Sequence, residues 1–448
     1  FEISYREFYK KIFDNKKILK FKKKTFFLLA RNSYEFINIY ISLIQSGHVI
    51  FLIDSNILSK NLLKLINRYK PNFILHPKNL IYRELLSFQI FHEFETYNLI
   101  CLNKKNLILN KELMLLLPTS GSTGSPKFVM LSKNNIKKNN QDIVKYLQLN
   151  GSSKTVLKLP LHYSYGLSIL HTHLKAGSTI YLTKENIISK NFWSFYNLNK
   201  INTFYGVPQT FEILKKLNFN PKHKIKFLAV AGGKIDENTL NHFLINSKKK
   251  KYIIYNMYGQ TEASPRISFS SSKSKKQSIN SVGKPFGGSK IIIKKENNDY
   301  FENKKVGKII YKGKNVMIGY AKNKKDLKNK RKNNFELFTG DYGYLDYNND
   351  LNIIGRIDNF AKINGIRINL NDIEIFIRYK FKIKNRCISN ANIIFVFLET
   401  KKKLNILLNL INKFNLRKND FKFIYFNKFK LLNNGKIDLL DLKKNINN

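Results

Sequence analysis

A run rich in hydroxyls and glycine, Thr119-Ser120-Gly121-Ser122-Thr123-Gly124-Ser125-Pro126-Lys127, directly follows the apolar stretch Leu113–Leu117. Gly121 and Gly124 let the backbone approach a ligand closely. The hydroxyls can donate to phosphate oxygens, and Lys127 adds a point charge. Together they have the makings of a phosphate cradle. The order is not the Walker one, because Pro126 stands directly before Lys127 and no glycine precedes it immediately. A solvated Ser/Gly turn is the plain alternative.

Further along, Asn256-Met257-Tyr258-Gly259-Gln260-Thr261-Glu262 groups an amide, an aromatic face, a hydroxyl and a carboxylate. Those are the parts that hydrogen-bond a purine, stack on it, touch a phosphate and hold Mg²⁺. Thr339-Gly340-Asp341 reads as a carboxylate on a tight turn, suited to ribose hydroxyls. Gly355-Arg356-Ile357-Asp358 follows, running on through Lys362, Gly365 and Arg367 to Glu374. Near the end, Gly435-Lys436 puts a lysine on a flexible turn.

These groups need a scaffold. The alternation of short apolar runs with helix-like stretches supplies one. Phe26–Ala30, Val49–Ile53, Thr155–Pro160, Thr179–Leu182, Thr203–Gly206, Phe227–Ala231 and Tyr252–Tyr255 read as strands, and Ser33–Ser46 and Leu58–Tyr69 as helices. Alternating units predict an α/β fold with parallel sheets covered by helices. After residue 280 the texture changes. Ile291–Ile293, Gly307–Tyr311 and Gly340–Leu351 read as short strands joined by Gly and Asn turns. A small basic α+β stretch begins at Gly355–Asp358. The expected organisation is a large domain over 1–356 and a small domain over 357–448.

The 448 residues include 80 Lys plus Arg against 30 Asp plus Glu, a formal net charge of +50. The lysines are spread through the chain with Asn and Ile, as in Lys22-Lys23-Lys24 and Lys248 to Lys251. That spread matches the bias of an A+T-rich genome better than a dedicated nucleic-acid surface. No apolar run reaches the length of a membrane span. Cys101 and Cys387 stand far apart, which predicts neither disulfide nor zinc and a reducing, cytoplasmic setting. No cationic leader with a cleavage site is visible. The sequence opens on Phe1 rather than Met, so its natural start is expected upstream.

Taken in this order, the blocks resemble the acyl-adenylate-forming superfamily, which includes acyl-CoA synthetases and the adenylation domains of peptide synthetases. Supporting blocks are Pro160-Leu161-His162, Gly206-Val207-Pro208, Gly232-Gly233, Val282-Gly283-Lys284-Pro285 and Asn315-Val316-Met317 to Gly319-Tyr320. The likeness spans roughly residues 25 to 440. It implies a large domain of parallel sheets flanked by helices, a distorted β-barrel-like part, and a small mobile α+β C-terminal domain.

The resemblance also implies activities and roles. A carboxylate attacks the α-phosphorus of ATP, giving acyl-AMP, and a thiol of coenzyme A or a carrier-protein phosphopantetheine then displaces AMP. Thr119, Ser120, Gly121, Ser122, Thr123, Gly124 and Lys127 would cradle the β- and γ-phosphates. Gly232 and Gly233 would lie against adenine, Asn256 would bond it, and Tyr258 and Gly259 would flank it. Thr261 would touch the α-phosphate and Glu262 would hold Mg²⁺. Asp341 would grip the ribose, assisted by Arg356. Lys436 would bridge the reacting groups, and His162 would wall the acyl pocket. Asp358 would be the hinge, with Lys362 and Gly365 entering the thiol channel after rotation.

The block Leu159-Pro160-Leu161-His162-Tyr163-Ser164-Tyr165-Gly166 carries no carboxylate for a substrate ammonium. That favours a neutral-tailed organic acid, fatty or other, over an amino acid. The stretch from Tyr258 to Ala263, with Arg266, looks most like stand-alone bacterial acyl-CoA synthetase-type proteins. The rivals are a D-alanine-type enzyme loading a carrier protein and an inactive basic nucleic-acid-binding protein on the same fold.

Overall fold

The computed structural model describes residues 2–119, 127–274, 281–301, 304–363, 366–390, 392–401, 405–414, 416–430 and 437–446. Two large sheets dominate. The first runs in the order Gly319–Ala321, Phe128–Ser132, Leu113–Pro118, Val49–Asp54, Thr25–Ala30, Phe73–Pro77, Tyr97–Cys101, Ile90–Glu93. Its middle is parallel, with Thr25–Ala30 between Val49–Asp54 and Phe73–Pro77. The second runs Lys284–Pro285, Arg266–Ser271, Ile253–Gly259, Phe227–Val230, Thr203–Gly206, Lys154–Val156, Thr179–Tyr181. It is parallel apart from Lys284–Pro285 and Arg266–Ser271.

The strand Thr25–Ala30 shows why these runs are continuously apolar. Phe26 and Leu28 join one buried cluster, while Phe27 and Leu29 join another on the opposite face. Successive side chains point to opposite faces, so a strand covered on both must be apolar at every position. The first of these clusters also takes in Tyr205, Ala229, Tyr255 and Met257, so the two large sheets share one core. Helices Lys133–Leu147 and Ser164–Lys175 contribute to it from between them.

Helix starts follow local chemistry. The Ser33 hydroxyl accepts from Phe36 N ahead of Tyr34–Gln45, and Asp236 accepts from Thr239 N ahead of Glu237–Lys250. The second helix ends in Lys248, Lys249 and Lys250, cations at the negative end of the helix dipole. Part of the lysine excess is thus accommodated on exposed helix ends.

The barrel-like part is an open antiparallel sheet of Lys290–Phe301, Lys304–Lys312, Glu336–Leu345 and Leu351–Arg356. It does not close among the described residues. The expected single strand Gly340–Leu351 is instead the bend of a hairpin. Asp346 Oδ1 accepts from the amides of Asn348 and Asp350, and Asn349 takes a left-handed φ of 61°, so the chain reverses there. Beyond Arg356, strands Phe360–Ile363 and Ile366–Asn369 pair, helix Leu370–Phe381 follows, and Asn385–Asn390, Ile393–Glu399 and Phe421–Phe426 form a three-stranded sheet. A buried cluster from Ala361 to Phe421 belongs to this stretch alone.

Candidate active site

The strand Ile253–Gly259 carries the purine-side candidates. It runs four residues beyond the expected Tyr252–Tyr255, so Asn256, Met257 and Tyr258 sit on the sheet itself. Asn256 and Tyr258 share a face by the two-residue period. Gly259 is dictated by packing, since a Cβ there would meet Pro265 O at 1.8 Å. The chain then makes the short turn Thr261–Ala263, which projects Thr261 and Glu262. Asn315 locks that turn. Its Nδ2 donates to Ala263 O at 2.6 Å and to Arg266 O at 2.9 Å, and its Oδ1 accepts from Tyr311 at 2.7 Å. Met317 N adds a bond to Glu262 O at 2.8 Å.

Asp341 lies within the strand Glu336–Leu345, not on a tight turn as its sequence context suggests. The reason is Gly340, whose φ of +75° bends the strand locally without ending it. Asp341 is in register opposite Arg356. Arg356 Nη1 stands 3.3 Å from Asp341 Oδ1, and the Tyr258 hydroxyl donates to Asp341 Oδ2. Burial pushes the Asp341 carboxyl up from its ordinary range, with Arg356 and the Tyr258 bond pulling it back. Burial and the neighbouring carboxylate push the Tyr258 phenol well up. Both carboxylate oxygens therefore have partners that a pair of ribose hydroxyls would share.

Asn256 donates from Nδ2 to Ser281 O at 3.1 Å. What it has left for a purine is Oδ1, the acceptor that an exocyclic amine needs. Gly232, with φ +90°, and Gly233 follow the strand Phe227–Val230 and back onto Val207 and Pro208, where an added Cβ would stand 3.4 Å away.

On the phosphate side, Tyr320 donates to Glu262 Oε1 at 2.8 Å, and Lys127 Nζ stands 3.9 Å above the Tyr320 ring. Burial and the Glu262 charge raise the Tyr320 phenol. Strands Leu113–Pro118 and Phe128–Ser132 are antiparallel neighbours, and Thr119 N donates to Lys127 O at 3.4 Å, so both ends of the Ser/Gly segment are held at one place. Ser120, Gly121, Ser122, Thr123 and Gly124 lie outside the described residues. The Thr261 and Ser164 hydroxyls are 3.1 Å apart. Glu262 fits a hard divalent cation: it is a carboxylate beside the phosphate side, with one oxygen oriented by a neutral phenol.

His162 is buried, with Nε2 3.9 Å from Asp54 Oδ2. Burial lowers its imidazole and Asp54 pulls it back up. Its charged neighbour is Asp54, not Thr261 or Glu262. Gly365 and Lys436 lie outside the described residues, as do the side chains of Asp358, Lys362 and Arg367. The backbone of Asp358 lies in the turn Ile357–Asn359. Helix Leu370–Phe381 meets the start of helix Glu237–Lys250 through Tyr379, whose hydroxyl donates to the cap residue Asp236.

Tyr320, Ser164, Asp54 and Asn315 are missing from the sequence-derived site. Tyr320 and Asn315 fall in a recognised block, but a phenol and an amide there carry no mark of the carboxylate or carbonyls they serve. Asp54 ends an apolar strand, which is a usable signal for a residue at a sheet's edge.

A family model described as "AMP-binding enzyme" matches residues 2–321. The chain is 29% identical over 265 residues to oxalate–CoA ligase of Saccharomyces cerevisiae, covering 58% of this chain and 47% of that protein. It is 24% identical over 354 residues to D-alanine–D-alanyl carrier protein ligase of Staphylococcus haemolyticus, covering 73% and 70%. The chain thus spans about half the length of the first relative. O-succinylbenzoate coenzyme A synthetase from Bacillus subtilis, in complex with AMP, superposes with a TM-score of 0.78 at 20% identity, covering 98% of this chain and 93% of that one.

Proposed function

Since the chain belongs to the AMP-binding enzyme family, we propose that it is an acid–thiol ligase that joins a small organic acid to a thiol by way of an acyl-adenylate. The carrying observation is the convergence of Tyr258, Asp341, Arg356 and Glu262 from three separate strands and one turn. An adenosine fits against Gly232 and Gly233, with Asn256 Oδ1 toward its amine and Asp341 toward its ribose. Thr261 is placed to donate to an α-phosphate oxygen. The substrate carboxylate attacks the α-phosphorus, the bond to pyrophosphate breaks, and acyl-AMP results. A thiolate then attacks the acyl carbon and AMP leaves. Mg²⁺ held at Glu262 would supply charge neutralisation for the triphosphate.

What this chain does is position and neutralise two anions. Lys127, Thr119 and the segment between them serve the outer phosphates, and Lys436 serves the reacting carboxylate. We assign 1–356 to the nucleotide-binding domain and 357–448 to a small domain turning about Asp358, which brings Lys362 and Gly365 toward the thiol. Tyr165, Tyr205 and Met257 fill the inner wall, which favours a short acid over a long-chain fatty acid. No described helix is long and apolar enough to cross a membrane. Two free cysteines fit a reducing setting such as the cytoplasm.

A carrier protein is the second reading of the thiol partner, supported by the D-alanyl carrier relative. The test is ATP–pyrophosphate exchange across a carboxylic-acid panel, with thioester formation measured on coenzyme A and on a phosphopantetheinylated carrier. Acid-dependent exchange is expected. Its absence with every acid, including D-alanine, overturns the reading.

A further inference from the structure

We propose, on the basis of the reading above, that the acid is a short dicarboxylate whose second carboxylate is held by Arg266. Arg266 opens the strand Arg266–Ser271 and is 2% exposed. Its backbone is clamped, its carbonyl accepting from Asn139 Nδ2 at 3.0 Å and from Asn315 Nδ2 at 2.9 Å. Its guanidinium lies over the Tyr165 ring at 4.4 Å.

The polar side chains around that guanidinium are neutral. Nη2 stands 3.5 Å from the Ser168 hydroxyl, and the Tyr146 hydroxyl takes a further bond. Nε is buried with no partner. Among the described residues, no carboxylate forms an ion pair with Arg266. The hydroxyl of Tyr205, whose ring centre is 6.4 Å from that of Tyr165, is likewise buried without a partner. A guanidinium is always charged and presents five donors in a planar fork matched to a carboxylate. Buried beside neutral oxygens only, it has a cation's desolvation cost and no anion to offset it. A ligand carboxylate supplies that anion.

The placement sets the size of the acid. Ser164 contacts Thr261 at 3.1 Å, and Ser168, four residues on, contacts Arg266. One helical turn separates the two contacts, a rise of about 6 Å. An acid with one carboxylate at the Thr261 end and another at Arg266 is therefore short. A long alkyl tail would instead have to lie against a bare charge.

The test is calorimetric titration of the full chain, with α,β-methylene-ATP and Mg²⁺ present. Oxalate, malonate, succinate and glutarate are compared with acetate, propionate, butyrate and valerate. The best diacid should bind on the order of 10²-fold more tightly than its monoacid counterpart, the worth of a charge-assisted pair. Arg266→Met should erase that ratio while ATP-analogue affinity holds, and Arg266→Lys should retain part of it. Without ligand, Arg266→Met should melt no lower than the native chain. Equal binding of monoacids and diacids by the native chain overturns the proposal, and that comparison needs no variant. Equal loss for both classes in Arg266→Met, or a markedly lower melting point, also overturns it. Pyrophosphate release is run in parallel. Diacid binding without release sinks the ligase reading and leaves this one standing. Release with monoacids alone does the reverse.

Discussion

The phenol oxygen of Tyr258 donates to Oδ2 of Asp341, 83 residues further along the chain. The residue offered as a stacking face for the base is thus also the residue that orients the carboxylate offered to the sugar. The proposed stacking face and the proposed ribose carboxylate are thus joined by one hydrogen bond.

That joint predicts a split between two substitutions. Tyr258→Phe should weaken ATP binding by about 1 kcal/mol, the worth of one hydrogen bond. It should leave the affinity for 2′,3′-dideoxy-ATP nearly unchanged. Tyr258→Ala should cost roughly 1–3 kcal/mol more for both nucleotides, because the stacking face goes as well. Calorimetry with the two nucleotides reads the difference. Equal losses for the two nucleotides in Tyr258→Phe would mean that the hydroxyl bond does not serve the ribose.

Glu262→Gln should lower acid-dependent pyrophosphate release on the order of 10²–10³ at saturating Mg²⁺. Its fold should hold, because Tyr320 can still donate to the amide oxygen. Native-like release would remove Glu262 from the metal.

Asn315→Leu should destabilise the chain by about 3 kcal/mol in urea unfolding. The change leaves Ala263 O without its Nδ2 partner and the Tyr311 hydroxyl without its acceptor, both in buried surroundings. An unchanged midpoint would show that the turn carrying Glu262 is held by other bonds.

Acid should unfold the protein early. Burial pushes His171 and His173 each down to about 4. Both are neutral when folded, yet they protonate below about 6.5 once unfolded. The unfolded chain binds more protons between those values, so this stability is full above pH 6.5 and is lost as pH falls toward 4. The loss is on the order of 3 kcal/mol for each group. His48 and His76 are lowered in the same direction by burial. Melting curves from pH 7.5 to 4.5 should show the slope, and His171→Gln, keeping a partner for Tyr40, should reduce it. A flat profile contradicts the burial.

The two half-reactions should separate. Lys436→Ala should lose pyrophosphate exchange yet still convert supplied acyl-AMP to thioester, and Gly365→Leu should do the opposite. Impairment of both steps to the same degree in both variants would rule out alternation of the small domain about Asp358.

Much of this protein is written locally. The run Thr25–Ala30 is apolar at nearly every position because both faces are covered, so parallel sheets covered by helices could be read from such patterns alone. Ser33 and Asp236 mark helix starts because a cap acts within three residues. The ordered blocks through Glu262 and Asp341 could be picked out because their residue types and order are a local feature of the sequence.

What local pattern cannot carry is pairing across the chain. The position of Asp341 inside a strand depends on a cross-strand register with Arg356 that no neighbouring residue encodes. The tie from Tyr320 to Glu262 spans 58 residues, and the contact of Ser164 with Thr261 spans 97. Arg266 reads in the sequence as part of a block that resembles acyl-CoA synthetase-type proteins, with nothing to mark its charge as unpaired. Only its burial among Tyr165, Tyr146 and Ser168 makes it a charge without a counter-ion. Residue type sets which charges and donors a chain possesses, but desolvation and distance set what each is worth, and both are properties of the folded packing.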